Sequence, residues 1–267
     1  MKNRSIQIGL LIILALTSIG CQSHSVQMTS GQKYLSDYSN YDATETNASN
    51  LNEEVKEIAS IEPSIQFPSR IGLVKLFNGR ITNLSVEEIE AWEESRSTMG
   101  ATFGDFIPVN PMIAEMVYTP RKTNSKSKGN PSEIFRKIRL GAARQHLEHV
   151  LIYEVFSETK TTKLASSVAN WTIIGGYFVP SREIETTGFA NALLLDVRNG
   201  YPYGSASATL NASEFSASQS YRDKSRNLAD KNQVSTVIKL IPEVQQMMKT
   251  LIKQSKQAKK LNQSDHE

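Results

Sequence analysis

Four histidines and one cysteine are all that this 267-residue chain offers for imidazole or thiol chemistry. His24 and His266 fall in polar ends of the sequence, which leaves His146-Leu147-Glu148-His149 as the one cluster. Two imidazoles three apart on a helix share a face and could meet one metal ion. Here a helix should end at His146 and a strand begin at His149, which splays the pair, and no third ligand follows. No metal site is expected. The chain has no Gly-x-Ser-x-Gly elbow, no phosphate-cradling glycine loop and no metalloprotease helix. Nothing places a nucleophile beside a base, so no catalytic residue and no cofactor are expected. Asp196 and Arg198, two apart on one strand, point to the same side and should pair locally or stay solvated beside Asn199-Gly200. Arg182, Glu183 and Glu185, between Pro180 and Gly188, read as a charged loop.

The thiol has a more informative setting than the imidazoles. Met1-Lys2-Asn3-Arg4 is a short basic start, Ile6 to Leu16 is almost continuously apolar, and Thr17-Ser18-Ile19-Gly20 brings small residues up to Cys21. This order resembles a bacterial lipoprotein signal, in which the chain is cut between Gly20 and Cys21 and the cysteine carries lipid. Ser18 stands three residues before the cysteine, where that signal usually has Leu, Val or Ile. A secretory signal with an incidental cysteine and a transmembrane anchor are the alternatives, although a span needs about 20 apolar residues. Two acyl chains on one residue hold a protein on a membrane stably. Removal of residues 1 to 20 takes Lys2 and Arg4 with it and lowers the formal net charge from +3 to +1. The basic balance of the full chain is therefore no sign of nucleic-acid binding. With Cys21 lipidated, no thiol remains for a disulfide or redox site.

Residues 21–62 read as a lipid-anchored disordered tether, polar and acidic, with a small cluster at Tyr34, Leu35, Tyr38 and Tyr41. A coil of about 40 residues would span roughly 35 Å and hold a domain clear of the membrane. The folded part, residues 63–252, opens with a strand over Arg70–Phe77 closed by Asn78-Gly79. Ser85-Val86-Glu87-Glu88 is a capping box, with Val86, Ile89 and Trp92 on the inner face of the helix that follows. Phe106–Val109 is a weaker strand, and Pro111 opens a short helix. Thr119–Asn130, with Arg121, Lys122, Lys126 and Lys128, is a basic insertion, either a solvated loop or a contact for anionic headgroups. Asn130-Pro131-Ser132-Glu133 starts a second helix running to about Leu147. The strand Val150–Phe156 follows at once, and strand, helix, strand is the signature of a crossover onto a mixed or parallel sheet. Trp171–Pro180 reads as a strand bent at Gly175-Gly176. Phe189–Arg198 is a strand joined by a type I′ turn at Asn199-Gly200 to its return, Tyr201–Thr209. Val234 to Leu251 keeps one apolar helical face across Pro242, which should kink or divide the helix. Residues 253–267 read as a disordered basic tail. The expectation is a single α/β (α+β) domain, with a mixed sheet of about five strands, flanking helices and a carboxy-terminal helix.

The lipoprotein signal, Arg70-Ile71-Gly72-Leu73-Val74, the crossover into Val150–Phe156, and Leu193-Leu194-Leu195-Asp196-Val197-Arg198-Asn199-Gly200 together resemble the α/β envelope lipoprotein superfamily. That group includes the curli secretion channel subunit, the penicillin-binding-protein activator lipoprotein and the TolB amino-terminal domain. The resemblance covers roughly residues 69 to 252 and implies an envelope protein working on other proteins. Fold does not fix function. Two function classes follow. One is a non-catalytic docking or assembly module anchored in the membrane through lipid on Cys21, partnered by another envelope protein or by copies of itself, with no nucleic acid. The other is a lipid-anchored hydrolase or ligand-binding protein with an unannounced cleft. Gln22 stands where aspartate would signal retention in the inner membrane, so the resemblance implies the periplasmic face of the outer membrane. The hairpin residues Arg198 and Tyr201 are the candidate interaction site.

Overall fold

The computed structural model describes residues 23–38, 49–116, 131–164, 180–217 and 220–264. The signal segment with Cys21, the basic insertion 119–130, and all but Pro180 of the strand expected over Trp171–Pro180 lie outside the described residues. In chain order the elements are β1 (His24–Val26), α1 (Gly31–Tyr38), α2 (Ser49–Ala59), β2 (Ser69–Phe77), β3 (Arg80–Thr82), α3 (Val86–Met99) and β4 (Gly104–Pro108). There follow α4 (Pro111–Glu115), α5 (Pro131–Arg144), β5 (His149–Lys163), β6 (Pro180–Asp196), β7 (Pro202–Ala217) and α6 (Tyr221–Ser264).

One seven-stranded sheet runs in the order β1-β7-β6-β5-β2-β3, with β4 also paired to β2. The α5 crossover sets β5 parallel to β2, and β4 is parallel to β2 as well, whereas β6, β7 and β1 add antiparallel strands. The mixed α/β class holds; the strand number is seven, because short edge strands add to the long ones. Period-two alternation sorts side chains to two cores. Leu73, Leu151, Tyr153, Leu194 and Tyr203 face α3 and α6. Val74, Val150, Ile152, Leu195 and Val197 face α5.

The α6 side of the sheet is lined by small residues, Ala190, Ala192, Ala206 and Ala208, and the helix settles close against them. A Cβ at Gly188 would run into Asn232 and Thr236, so that glycine sets the approach of α6 to β6. The helix passes unbroken through Pro242. Proline leaves the Ile238 carbonyl without its helical donor at a point where both residues are exposed to solvent.

Five expectations are corrected. Residues 23–38 and 49–62, expected within a disordered tether, are structured: β1 pairs with β7 in register His24 opposite Ala206, and α1 crosses α2 at Gly31, where a Cβ would strike the Ala59 carbonyl. Residues 253–264, expected in a disordered tail, are helical, since α6 continues to Ser264 and buries Ser255. Arg182, Glu183 and Glu185 belong to β6, because the hydrogen-bonded register with β5 continues outward to Lys163 opposite Arg182. The inner face of α3 is Glu88, Trp92 and Ser95, while Val86 is 68 % exposed. A charged residue takes that inward place because it is fully partnered. Glu88 Oε1 receives Lys75 Nζ at 2.7 Å, and Oε2 accepts the Ser85 amide at 3.0 Å, completing the capping box. The hairpin is not type I′. Only Gly200 has positive φ, at 78°, and the turn is a wider loop in which the Asp196 amide donates to the Tyr201 carbonyl at 3.0 Å.

Candidate functional site

The β6–β7 hairpin gathers a polar constellation around Asp196. Asp196 closes β6, and its carboxylate is fully buried. Its Oδ1 accepts the amides of Arg198 at 2.8 Å and Asn199 at 3.3 Å, an Asx-type turn that displaces the two-residue alternative. Its Oδ2 accepts Ser64 Oγ at 2.8 Å and Tyr203 Oη at 3.2 Å. Arg139 on α5 fixes the loop from the other side, donating to the carbonyls of Val197 at 2.9 Å and Arg198 at 2.6 Å. Asn199 Nδ2 donates to the Glu62 carbonyl at 3.0 Å, which ties the turn to the segment before β2.

The β5–β6 register places His149 opposite Asp196. Its Nε2 lies 3.6 Å from Asp196 Oδ2, and its Nδ1 is 2.7 Å from Ser69 Oγ at the start of β2. Serine, histidine and aspartate thus lie in a row, the residue types of a nucleophilic triad. Their setting opposes that chemistry. Ser69 and His149 are 2 % and 1 % exposed, so no substrate reaches the hydroxyl. The Tyr203 ring packs edge-on over the imidazole at 5.4 Å. Burial holds the His149 pKa below its ordinary value, against the pull of Asp196 and Glu148. Burial pushes the Asp196 carboxyl upward, but Ser64, the two amides and His149 together hold it below the usual range. Burial raises the Tyr203 phenol to about 12, so it stays a donor. The cluster is a buried polar weld at one end of the core.

The sequence-predicted residues separate cleanly. The Asp196–Arg198 pair forms, with Arg198 Nε 3.8 Å from Oδ1 and the arginine side chain 68 % exposed. Tyr201, expected on an exposed surface, is only 4 % exposed; its hydroxyl donates to the Thr29 carbonyl at 2.9 Å because the segment after β1 covers it. His146 and His149 do not converge. His146 has φ 55° and sits exposed just past α5 in a Schellman turn, with Leu147 N bonded to the Ala142 carbonyl and His146 N to that of Ala143. Sequence reasoning missed Ser64, Ser69 and Tyr203. The only signal available was the strand register, which pairs residues far apart in the chain.

Beside the hairpin lies a groove of about 1040 Å³ between the β1–α1 segment, α2 and the end of α6. Met28, Tyr34, Val55 and Ile58 give it an apolar wall, and Lys33, Gln254 and Gln257 line it too. Val55, Ile58 and Tyr34 are 37 %, 70 % and 43 % exposed.

No family model matches the chain, and no curated protein matches it. Among solved structures it is similar to the PelC dodecamer from Paraburkholderia phytofirmans, at 13 % identity and TM-score 0.30 over 70 % of this chain and 91 % of that one. A hypothetical protein of Chlamydia trachomatis matches at 14 % identity and TM-score 0.29, over 68 % of this chain and 99 % of that one. A lipoprotein of Neisseria meningitidis matches at 17 % and 0.26, over 61 % and 97 %. Likenesses at these scores assign this chain neither a family nor an activity.

Proposed function

We propose that this chain is a bacterial envelope lipoprotein, cut between Gly20 and Cys21 and anchored by lipid on Cys21. Its α/β domain is a non-catalytic docking or assembly module on the periplasmic face of the outer membrane. The observation that carries the reading is the placement of the one cysteine directly after the short apolar segment and its small residues. One structural fact supports the non-catalytic part of it: the histidine best placed for acid–base work is sealed inside the hairpin weld. The exposed Arg198 side chain, held on a loop fixed from three sides, is a rigid contact point for a partner protein of the envelope or a second copy.

Membrane fractionation of cells producing Cys21→Ser tests the anchor: the variant should leave the membrane pellet or remain uncut. Membrane retention after normal cleavage overturns it. A photocrosslinker at position 198 tests docking, with a defined protein adduct expected in the wild-type background and none overturning that role. The groove favours a second reading, a lipoprotein that binds an apolar ligand. A small molecule co-purifying with the wild type and lost in Ile58→Asp would establish that reading in place of docking.

A further inference from the structure

From the position of β1 we infer that the domain lies directly against the lipid surface, with its β1–β7 edge and the adjoining flank of α6 facing anionic headgroups. This rests on lipidation of Cys21. Only Gln22 separates Cys21 from Ser23, whose carbonyl already accepts the Ser207 amide at 2.8 Å. Two residue steps reach at most about 7 Å. A lipidated Cys21 therefore brings the middle of the β7 edge to within about 7 Å of the anchor residue, against the roughly 35 Å of a free tether. The opposite edge, at β3, lies five strand spacings from β1 in the sheet order, about 24 Å away.

Charge decides which surface turns toward the bilayer. The open face of the sheet displays Glu154, Glu158, Glu183 and Glu185 against Lys160, and an anionic surface repels it. On the other side, Lys239 reaches over the β7 edge to the Thr209 carbonyl at 2.8 Å, and Glu243 lies 3.5 Å from His24 of β1. Lys224 reaches the Phe215 carbonyl at 3.3 Å and pairs with Glu214 at 3.2 Å, so its charge is largely spent within the domain. Further along α6, Lys249 and Lys253 are exposed. Lys239 and Lys224 also occupy carbonyls of the open β7 edge, which discourages strand addition there. Attraction between lysines and an anionic membrane is screened beyond about 8 Å at physiological salt, so only a closely held domain uses it.

The test uses the full lipidated protein in vesicles containing phosphatidylglycerol and a headgroup-level fluorescence quencher. Cys21 is the only cysteine, so one added thiol takes one label. Asn211→Cys on β7 and Arg80→Cys on β3 stand four strand spacings apart, about 19 Å. The Asn211→Cys label should be quenched severalfold more than the Arg80→Cys label. A flexible 20-residue insertion between Gln22 and Ser23, reaching about 25 Å, combined with Lys249→Glu and Lys253→Glu, should abolish the difference. Equal quenching of the two labels without the insertion, or a difference that survives it, overturns the inference while leaving lipidation intact. Failure of the protein to incorporate palmitate removes the anchor reading and this inference with it, and is seen separately.

Discussion

Asp196→Ala tests whether the hairpin is a structural weld. The buried carboxylate accepts four hydrogen bonds, from the amides of Arg198 and Asn199 and the hydroxyls of Ser64 and Tyr203, at 2.8 to 3.3 Å. A bond to a charged group contributes about 1.5 kcal/mol at the low end, so four give about 6 kcal/mol if nothing relaxes. The loop borders solvent and its freed amides can turn to water, which lowers the expected loss to about 3–5 kcal/mol. For a chain of this size each 1 kcal/mol moves the melting midpoint by about 2–4 °C, so the variant should melt roughly 10 °C lower. Thermal unfolding followed by circular dichroism at pH 7 measures it. Asp196→Asn, which keeps an acceptor for the two amides, should lose about half as much. Arg198→Ala removes only an exposed pair worth about 0–1 kcal/mol and serves as the control. A drop of about 2 °C or less for Asp196→Ala, under 1 kcal/mol, would refute the reasoning.

Glu88→Ala leaves Lys75, 14 % exposed, without its counter-charge and should cost about 3–5 kcal/mol in urea unfolding; Lys75→Met combined with Glu88→Leu should recover most of it. His149 has a folded pKa below its unfolded value near 6.5, so the unfolded chain takes up the proton first. Its contribution is therefore present above pH 6.5 and lost as pH falls toward the folded value, and His149→Gln should flatten the stability profile in that window. Deletion of residues 22–62 removes β1 and the Thr29 carbonyl that holds Tyr201, so the melting midpoint should fall by several degrees where loss of a mere spacer would leave it unchanged.

Local signals were legible wherever one element carries its own start, stop and period. The Ser85 capping box, the Pro111 and Pro131 helix starts and the apolar run of β2 stand in the structure near their expected bounds, and β5 starts where expected but runs on to Lys163. The crossover followed from the short link between α5 and β5. What sequence could not supply was pairing. A three-residue strand such as His24–Val26 has too few positions to show a period, and it exists because the β7 edge accepts it. The outer half of β5, Ser157–Lys163, is polar on both faces and is a strand only because β6 lies beside it. The hairpin followed the same rule: Asn199-Gly200 favours a two-residue turn, but the Asp196 side chain offers the loop amides a better acceptor. Ser64, Ser69, His149 and Tyr203 each look unremarkable alone and become a network only through register. Cys21 was the opposite case, a residue whose meaning lies wholly in its neighbours along the chain.

The amino-terminal peptide of the membrane-extracted protein carries the central claim. Mass spectrometry should find it beginning at Cys21 and heavier than the bare peptide by a diacylglyceryl group, with palmitate label removed by Cys21→Ser. A mature chain that starts elsewhere, or one that starts at Cys21 with an unmodified thiol, would contradict the account.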